Sequence, residues 1–361
     1  MCTLSVIVPT YNRAHFLEKC LEALVPQIRA AGKRAELIIL DNASADHTQA
    51  VTEPYANGDQ IRYVRHAENF GVIYNISIGP REFANGKYVW ILGDHNLIMP
   101  NALERIINEL DSHPKLELFY TNFRCAIYPD QWPDSCPKGF YGDFDYLGNH
   151  RTETQIVPKW GDLLDAKSGF CTQLYAQIVR TKIWSDYWID RPIPETFRCG
   201  LSTYPHTWML AETSFDKPAR FLHEPALTIF NGAQHWGDPT NRLNVLLYGF
   251  SDLAKLFKRK GFSEERFGSA VQYTRWRVNK LMKSSFQVSG KTDWILFTRS
   301  SYIAAKRCPW ALSGILATLF WNSPNPILRA MRKVYLQAQK ASVYLFKNCR
   351  PARWLRKLRE S

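Results

Sequence analysis

The first hundred residues alternate short apolar runs with amphipathic stretches, and this alternation constrains the fold more than any other feature. The pattern is typical of βαβ units, in which helices cover a mostly parallel sheet. It predicts strands at 4–8, 36–40, 61–65 and 88–92. It predicts helices between them at 15–31, 45–56 and 71–84. We therefore expect an α/β fold.

The rest of the chain differs in pattern. Residues 126–240 mix apolar runs with aromatic and proline-rich loops such as 128–133, which are typical of loops that shape a pocket. Beyond Asn241, apolar residues recur at helical spacing. We predict one domain over 1–240, with a nucleotide-binding half at 1–125 and an acceptor half at 126–240, and a helical extension over 241–361.

The positive charge is concentrated in the C-terminal part. Of the formal net charge of +13, residues 255–361 carry +19 and residues 1–254 carry −6. Residues 327–361 interleave cations with apolar and aromatic side chains, as interfacial helices on anionic lipid do. We therefore predict a membrane-associating extension. Binding to nucleic acid is the competing interpretation, but no nucleic-acid-binding motif is present and the preceding part is acidic.

Cysteine usage and the N-terminus favour the cytoplasm. The eight cysteines form no CxxC pair, so a zinc ribbon or dithiol redox centre is not indicated. No basic segment followed by a long apolar run precedes the first predicted strand. The uncharged stretch at 308–328 has an apolar core of only 310–321, whereas a spanning helix needs about 20 residues. We expect a cytoplasmic protein, peripheral on the inner face of a bacterial plasma membrane.

Parallel sheets bind ligands at the carboxyl ends of their strands, so the loops after the predicted strands are candidate sites. In the loop after the first strand, Tyr11 offers a ring for stacking, Asn12 a donor and an acceptor, and Arg13 a cation for phosphate. An ordinary turn and helix start would explain the same residues.

The next two loops carry further polar groups. Asp41 follows the second strand and can accept hydrogen bonds from a base or ribose, although a turn with Ser44 or Asp46 as helix cap explains the same segment. After the third strand, Asn69 and Asn75 flank a glycine at a helix start, where a phosphate or ribose can approach the backbone.

The fourth strand ends at Asp94-His95-Asn96. A carboxylate in this place can hold Mg²⁺ or Mn²⁺ against a diphosphate, because these cations take oxygen ligands from carboxylates and substrate phosphates. The absence of GxGxxG after the first strand argues against a dinucleotide-binding dehydrogenase.

The order and spacing of these four segments resemble the inverting family-2 glycosyltransferases of the GT-A fold, in particular bacterial enzymes that build lipopolysaccharide and capsule sugars. The likeness covers residues 3–125. It implies a Rossmann-like, mostly parallel sheet flanked by helices, with Mg²⁺ or Mn²⁺ as cofactor. The nucleotide-binding residues that it implies are Pro9, Tyr11, Asn12, Arg13, Asp41, Asn69, Asn75 and Asp94.

The chain departs from the family at the metal motif and at the base. The second acid of the Asp-x-Asp motif is Asn96, so the metal ligands implied are Asp94, Asn96 and His235, with one charge fewer. His235 lies in a loop, 231–236, that a plain polar turn also explains.

The Glu-Asp pair that supplies the family's base is absent from the comparable stretch, 203–210. His206 is one candidate base, although a structural histidine is the other interpretation, and Glu195 and Glu212 are the carboxylate alternatives.

These observations predict a transferase that moves a sugar from a nucleoside-diphosphate sugar to a hydroxyl of a glycan or polyprenyl-diphosphate-linked acceptor, with inversion. The resemblance suggests a role in O-antigen or capsule synthesis. The alternative is a catalytically degenerate GT-A protein that binds nucleotide and acts as a membrane scaffold.

Overall fold

The structure, a computed structural model, describes residues 2–56, 58–128, 132, 149–166, 168–231, 233 and 244–289. The chain divides into two compact units, Met1–Thr274 and Arg275–Ser361. The predicted domain limit at 240 falls in a stretch, 234–243, outside the described residues, so that limit stays a prediction. Most of the basic extension also lies outside them.

A nine-stranded sheet forms the centre of the first unit, counted over the described residues. Its order is β3-β2-β1-β4-β8-β6-β9-β5, with β7 paired to β9. The strands are β1 (Leu4–Thr10), β2 (Ala35–Asp41), β3 (Ile61–Arg65), β4 (Tyr88–Ile91), β5 (Asn96–Ile98), β6 (Leu118–Ile127), β7 (Gln155–Val157), β8 (Gln177–Arg180) and β9 (Ala219–Asn231). Strands β1 to β4 run parallel and lie where the sequence predicts them, so the predicted α/β class is confirmed.

Helices cover the sheet and follow it. The α-helices are α1 (Ala14–Ala31), α2 (Thr48–Thr52), α3 (Val72–Phe83), α4 (Ala102–Ser112), α5 (Thr181–Trp188), α6 (Gly200–Thr203), α7 (Pro205–Thr213), α8 (Ser251–Arg259) and α9 (Glu264–Ser289). The 3₁₀ turns are Gly32–Arg34, Trp160–Leu163, Gly169–Cys171 and Leu174–Ala176, and a π-helical turn, Val245–Phe250, precedes α8. Over the described residues, no helix is both long and apolar enough to cross a bilayer.

The central strands are continuously apolar because helices cover both faces of the sheet. Every residue of β2 is buried, and α1 packs against the sheet through an apolar stripe that includes Leu17, Leu21 and Ile28. Helix α2 is shorter than the predicted 45–56. The carboxylate of Asp46 accepts hydrogen bonds from the backbone N and Oγ1 of Thr48, two residues later, and this turn precedes the helix.

The register of the parallel strands places the loops of interest at one edge. Thr10 of β1 lies beside Asp41 of β2, and Asp41 lies beside Arg65 of β3. On the other side of β1, Ile7 pairs with Ile91, and β4 ends there. The segments that follow these four strands therefore begin at the same edge of the sheet.

Candidate functional site

Asp94 connects the segments that follow β1 and β4. Its Oδ1 accepts a hydrogen bond from Arg13 Nε at 2.9 Å, and its Oδ2 accepts one from Thr10 Oγ1 at 3.0 Å. His95 Nδ1 lies 3.1 Å from the same Oδ1. Burial raises the pKa of Asp94, but the His95 hydrogen bond and the Arg13 charge outweigh burial and hold the pKa below its ordinary value. The buried carboxylate is therefore ionised and paired at neutral pH.

Arg13 is a buried cation, only 6% exposed. Besides Asp94, it donates from Nη2 to the carbonyl of Ala233 at 2.8 Å, and its guanidinium carbon lies 4.2 Å from the ring centroid of Phe16. Arg13 thus joins the start of α1 to the β4 loop and to the segment after β9, and Asp94 balances its charge.

Asn96 shapes the turn after β4. Its Oδ1 accepts a hydrogen bond from Gly93 N at 2.7 Å, and its buried Nδ2 has no hydrogen-bond partner among the described residues. A Cβ at position 93 would lie 3.0 Å from that Oδ1 and from the His95 ring, so a larger residue there would press on both side chains. The single side-chain oxygen of Asn96 is therefore occupied by a hydrogen bond within the turn.

The predicted cation site does not match this arrangement. Mg²⁺ and Mn²⁺ need several oxygen ligands. Both oxygens of Asp94 and the oxygen of Asn96 are engaged by protein donors. No group of three or more His, Cys, Asp and Glu residues gathers in the part of the chain that the structure describes, and His235 lies outside that part. As arranged, these residues do not fit a divalent cation.

The loops after β1 and β2 are clamped together. The backbone N of Asn12 donates to Ser44 Oγ at 2.8 Å, and Asn12 Oδ1 accepts from Ala45 N at 2.7 Å. Asn12 and Ala43 have φ of 51° and 65°, the left-handed region that is unfavourable for alanine. The side chain of Tyr11, next to the clamp, is 37% exposed. The clamp therefore holds an aromatic ring at the surface of the edge.

Asp41 is 0% exposed, and its carboxylate is satisfied by protein donors. Oδ1 accepts from the backbone N and Oγ of Ser44 at 2.9 and 2.5 Å, and Oδ2 accepts from Tyr63 Oη at 2.6 Å. Burial and this hydrogen bond raise the pKa of the Tyr63 phenol, so the tyrosine stays a donor. Asp41 is thus buried below the edge at which β1 to β4 end (the ligand edge), and its hydrogen bonds with Ser44 hold the loop after β2.

Asn69 and Asn75 pin the third loop to β2. Asn69 Oδ1 accepts from Asn42 Nδ2 at 2.5 Å and from Gly71 N at 2.9 Å, and Asn75 Nδ2 donates to the carbonyl of Leu40 at 3.2 Å. Between the two asparagines, Phe70 is 44% exposed. The loop therefore adds a second aromatic ring to the surface near the site.

The three candidate bases lie in different environments. His206, on α7, is 3% exposed, and burial lowers its pKa to about 3, a value that makes the imidazole a weak base at neutral pH. Glu212, also on α7, accepts a hydrogen bond from Tyr187 Oη and lies 3.7 Å from Arg191. His206 is thus enclosed by the core, and Glu212 is engaged by Tyr187 and Arg191.

The Glu195 side chain is the most exposed of the three, at 72% against 33% for Glu212, and it precedes a residue that lies near the third loop. Its carboxylate pairs with Arg198 at 2.8 Å, and that hydrogen bond lowers the pKa of Glu195. The following residue, Thr196, has its Oγ1 3.8 Å from the position of a Cβ at Gly71. Residues 195–196 therefore lie beside the loop that follows β3, at the ligand edge of the sheet.

Sequence reasoning did not identify Tyr63 and Arg65 as members of this region. Arg65 pairs with Asp41, which it did identify, and Tyr63 lies two residues earlier on the same strand, opposite Ile39. The signal was present in the strand ends: polar side chains at the carboxyl ends of adjacent predicted strands share one edge. Neither was singled out because a strand register is not visible in one sequence.

Residues 5–154 match the family described as Glycosyl transferase family 2. Over 127 residues the chain is 28% identical to an uncharacterized glycosyltransferase, the MG025 homolog of Mycoplasma pneumoniae, with 35% of this chain and 40% of that protein covered. Over 117 residues it is 32% identical to abequosyltransferase RfbV of Salmonella typhimurium, with 32% and 34% covered. The chain thus spans between a third and two fifths of the length of these relatives.

The solved structure of S. aureus TarS, residues 1–349, resembles this chain with a TM-score of 0.52 at 15% identity, covering 88% of this chain and 90% of that one. TarS in complex with UDP-GlcNAc gives a TM-score of 0.53. At this identity the likeness shows the fold, which is that of the GT-A glycosyltransferases. The sequence match to glycosyl transferase family 2 covers residues 5–154, and the structural likeness adds the fold.

Proposed function

We propose that this protein transfers a sugar from a nucleoside-diphosphate sugar to a hydroxyl of a glycan or polyprenyl-diphosphate-linked acceptor, with inversion, in O-antigen or capsule synthesis. One observation carries the proposal: in a family-2 domain, the loops after β1, β2 and β4 are hydrogen-bonded to one another at the carboxyl edge of the sheet. The similarity to a protein named an abequosyltransferase supports sugar transfer.

The charges at this edge suit an anionic, partly aromatic ligand. The carboxylates of Asp41 and Asp94 are buried and balanced by protein donors, so neither repels a diphosphate strongly. The exposed side chains at this edge include the rings of Tyr11 and Phe70 and the guanidinium of Arg65. Aromatic faces stack on bases, and a guanidinium binds acceptor atoms and phosphate. A nucleotide combines these features.

In the proposed reaction, the acceptor oxygen attacks the anomeric carbon from the face opposite the nucleotide. The bond between that carbon and the diphosphate oxygen breaks, and the diphosphate leaves with the electron pair. The hydroxyl proton passes to a side-chain base. Displacement from the opposite face gives inversion at the anomeric carbon.

We assign the base to Glu195 among the three candidates. Its carboxylate is exposed, and the next residue, Thr196, has its Oγ1 3.8 Å from where a Cβ at Gly71 of the third loop would stand. A glutamate is ionised at neutral pH, as a proton acceptor must be. His206 is buried with its pKa lowered to about 3, and Glu212 is held by Tyr187, so neither is placed to meet an incoming hydroxyl.

Mg²⁺ or Mn²⁺ stays a prediction, and the steps above do not pass through a metal. Because the oxygens of Asp94 and Asn96 are engaged, cation binding at this place would require Asp94 to exchange Arg13 for the ion. Titrating nucleotide with and without Mn²⁺ tests this directly, since such an exchange predicts that nucleotide and metal strengthen each other's binding.

The proposed membrane association is tested on the extension, most of which lies outside the described residues. We expect truncation after Ser323 to remove the +9 cluster of residues 327–361 and to abolish sedimentation with anionic liposomes, because the cationic and apolar groups are lost together. Neutral liposomes are the control. Undiminished sedimentation of the truncated protein contradicts the proposal.

The first test of the function is calorimetric titration of the full chain with UDP, GDP, dTDP and CDP. Saturable binding of one nucleotide supports the proposal, and failure of all four contradicts it.

The replacement of the second acid by Asn96 and the burial of His206 favour the second candidate, a nucleotide-binding scaffold. Turnover of the bound donor separates the two, because a scaffold binds the nucleotide without releasing the sugar.

A further inference from the structure

The last pairs of β1, β2 and β3 form one row of residues at the ligand edge, made of Thr10, Asp41 and Arg65. Neighbouring strands lie about 4.8 Å apart, so these residues are adjacent. Asp41 is 0% exposed, whereas the Arg65 side chain is 43% exposed. A ligand that approaches this part of the row therefore meets a guanidinium before it meets a carboxylate.

The carboxylate of Asp41 is not available as an acceptor for a ligand. Ser44 donates two hydrogen bonds to Oδ1, and Tyr63 donates one to Oδ2. The Asp41 side chain is 1% exposed, so it presents almost no oxygen surface to the N–H of a base. Asp41 is therefore a positioning residue that fixes Ser44 and the β2 loop.

Arg65 is oriented by the same loop. Its Nη2 donates to the carbonyl of Ser44 at 3.0 Å, and its Nε lies 3.6 Å from Asp41 Oδ2. Ser44 also accepts the backbone N–H of Asn12, the residue after Tyr11. One residue, Ser44, thus connects the guanidinium of Arg65 to the loop that carries the exposed Tyr11 ring.

A guanidinium has donors only, in a rigid planar fork that matches two neighbouring acceptors. Cytosine presents O2 beside N3, and guanine presents O6 beside N7, as pairs of acceptors. Uracil and thymine present N3–H between their two carbonyls, and adenine presents an amino group beside N7. In these three bases a donor would face the donors of Arg65.

We propose that Arg65 reads the nucleobase of the donor and selects a base with two neighbouring acceptors, cytosine or guanine, while Tyr11 supplies the stacking face. This inference rests on the proposed function and names the donor class that it leaves open. Cytosine and guanine both present two neighbouring acceptors, and the titrations below decide between them.

The experiment titrates CDP, GDP, UDP, dTDP and ADP into the full-length protein and into Arg65→Gln and Arg65→Lys. We expect CDP or GDP to bind at least about tenfold more tightly than UDP, as for one bidentate base contact. Arg65→Gln should remove that preference and leave UDP affinity within about twofold, which also shows that the variant is folded. Arg65→Lys keeps the charge but loses the fork, so it should lose the preference as well.

Arg34→Gln is the matched control, because Arg34 also forms an exposed ion pair, with Glu104, but it precedes β2 and lies at the opposite end of that strand. It should leave all five affinities unchanged. Tightest binding of UDP, dTDP or ADP overturns the inference and leaves the proposed function standing. An equal loss for every nucleotide in Arg65→Gln also overturns it, since that result assigns Arg65 to the phosphates. No binding by any nucleotide overturns the proposed function and the inference with it.

Discussion

The predicted nucleotide-binding half, residues 1–125, and the predicted acceptor half, residues 126–240, hold their polar groups in different ways. In the first half, Asp94, Asn12 and Asn69 each form hydrogen bonds with residues of another loop or with the start of the next helix. In the second, Glu195 pairs with Arg198 three residues away, and His206 is enclosed by the core. The donor side is thus built before a ligand arrives, whereas the acceptor side offers one exposed carboxylate near the edge.

The largest effect that separates the halves is expected at Asp94. Asp94→Ala leaves Arg13 buried without its counter-charge, so the β1 and β4 loops lose their common anchor. We expect sugar transfer to be lost and the free energy of unfolding to fall by about 3 kcal/mol, as when one member of a buried ion pair is removed. Transfer assays and urea unfolding measure the two losses.

Glu104→Ala, which breaks an exposed ion pair with Arg34, is the control for Asp94 and should cost less than about 1 kcal/mol. Full activity in Asp94→Ala would contradict the assignment of this edge as the active site. An unchanged free energy of unfolding would contradict the buried pair.

The next effect tests the acceptor half through its proposed base. Glu195→Gln keeps the shape of the side chain but cannot accept the proton, so kcat should fall by about 10²- to 10⁴-fold while the nucleotide Kd stays the same. Steady-state kinetics and calorimetry on one preparation check both parts. Glu212→Gln is the matched control and should keep kcat within a few fold. A loss of kcat in Glu212→Gln, with none in Glu195→Gln, would assign the base to Glu212 instead.

The smallest effect distinguishes a structural His206 from a catalytic one. Its folded pKa, lowered to about 3, lies below the unfolded value of 6.5, so the unfolded state takes up a proton first as the pH falls. The contribution of neutral His206 to the free energy of unfolding is therefore present above about pH 6.5. It declines below that pH, by about 2 kcal/mol at pH 5.

Urea unfolding at pH 7 and pH 5 measures this loss, with His206→Phe as the variant that should lack the His206 contribution. His113→Phe, which replaces a partly exposed histidine beside Glu109, is the control and should keep most of the decline. If the native protein is as stable at pH 5 as at pH 7, His206 is not held neutral by the core.

Strands β1 to β4 were predictable because each is a continuous apolar run bounded by polar loops. The start of α2 was not, because the carboxylate of Asp46 bonds to Thr48 and forms a turn where the pattern predicts the first turn of the helix. The four loops were also identifiable as a group, since parallel strands end at one edge.

The partners within the site were harder to predict. Arg13 and Asp94 appear in the sequence as two independent ligand groups, and only the fold shows that they bind each other. The burial of Asp41 depends on Tyr63, a residue on the next strand whose register one sequence does not reveal. The burial of His206 likewise results from packing between distant elements, which local pattern does not encode.

The two hydrogen bonds of the Arg13 side chain also bear on when the site forms. Its acceptors, Asp94 and Ala233, are 81 and 220 residues further along the chain. Contacts of such sequence separation close late, because a long loop must be ordered before they form. During synthesis, the start of α1 leaves the ribosome long before the carbonyl that fixes its arginine exists. Competence to bind nucleotide should therefore appear only after β9 has folded, which makes nucleotide affinity a reporter of completed assembly.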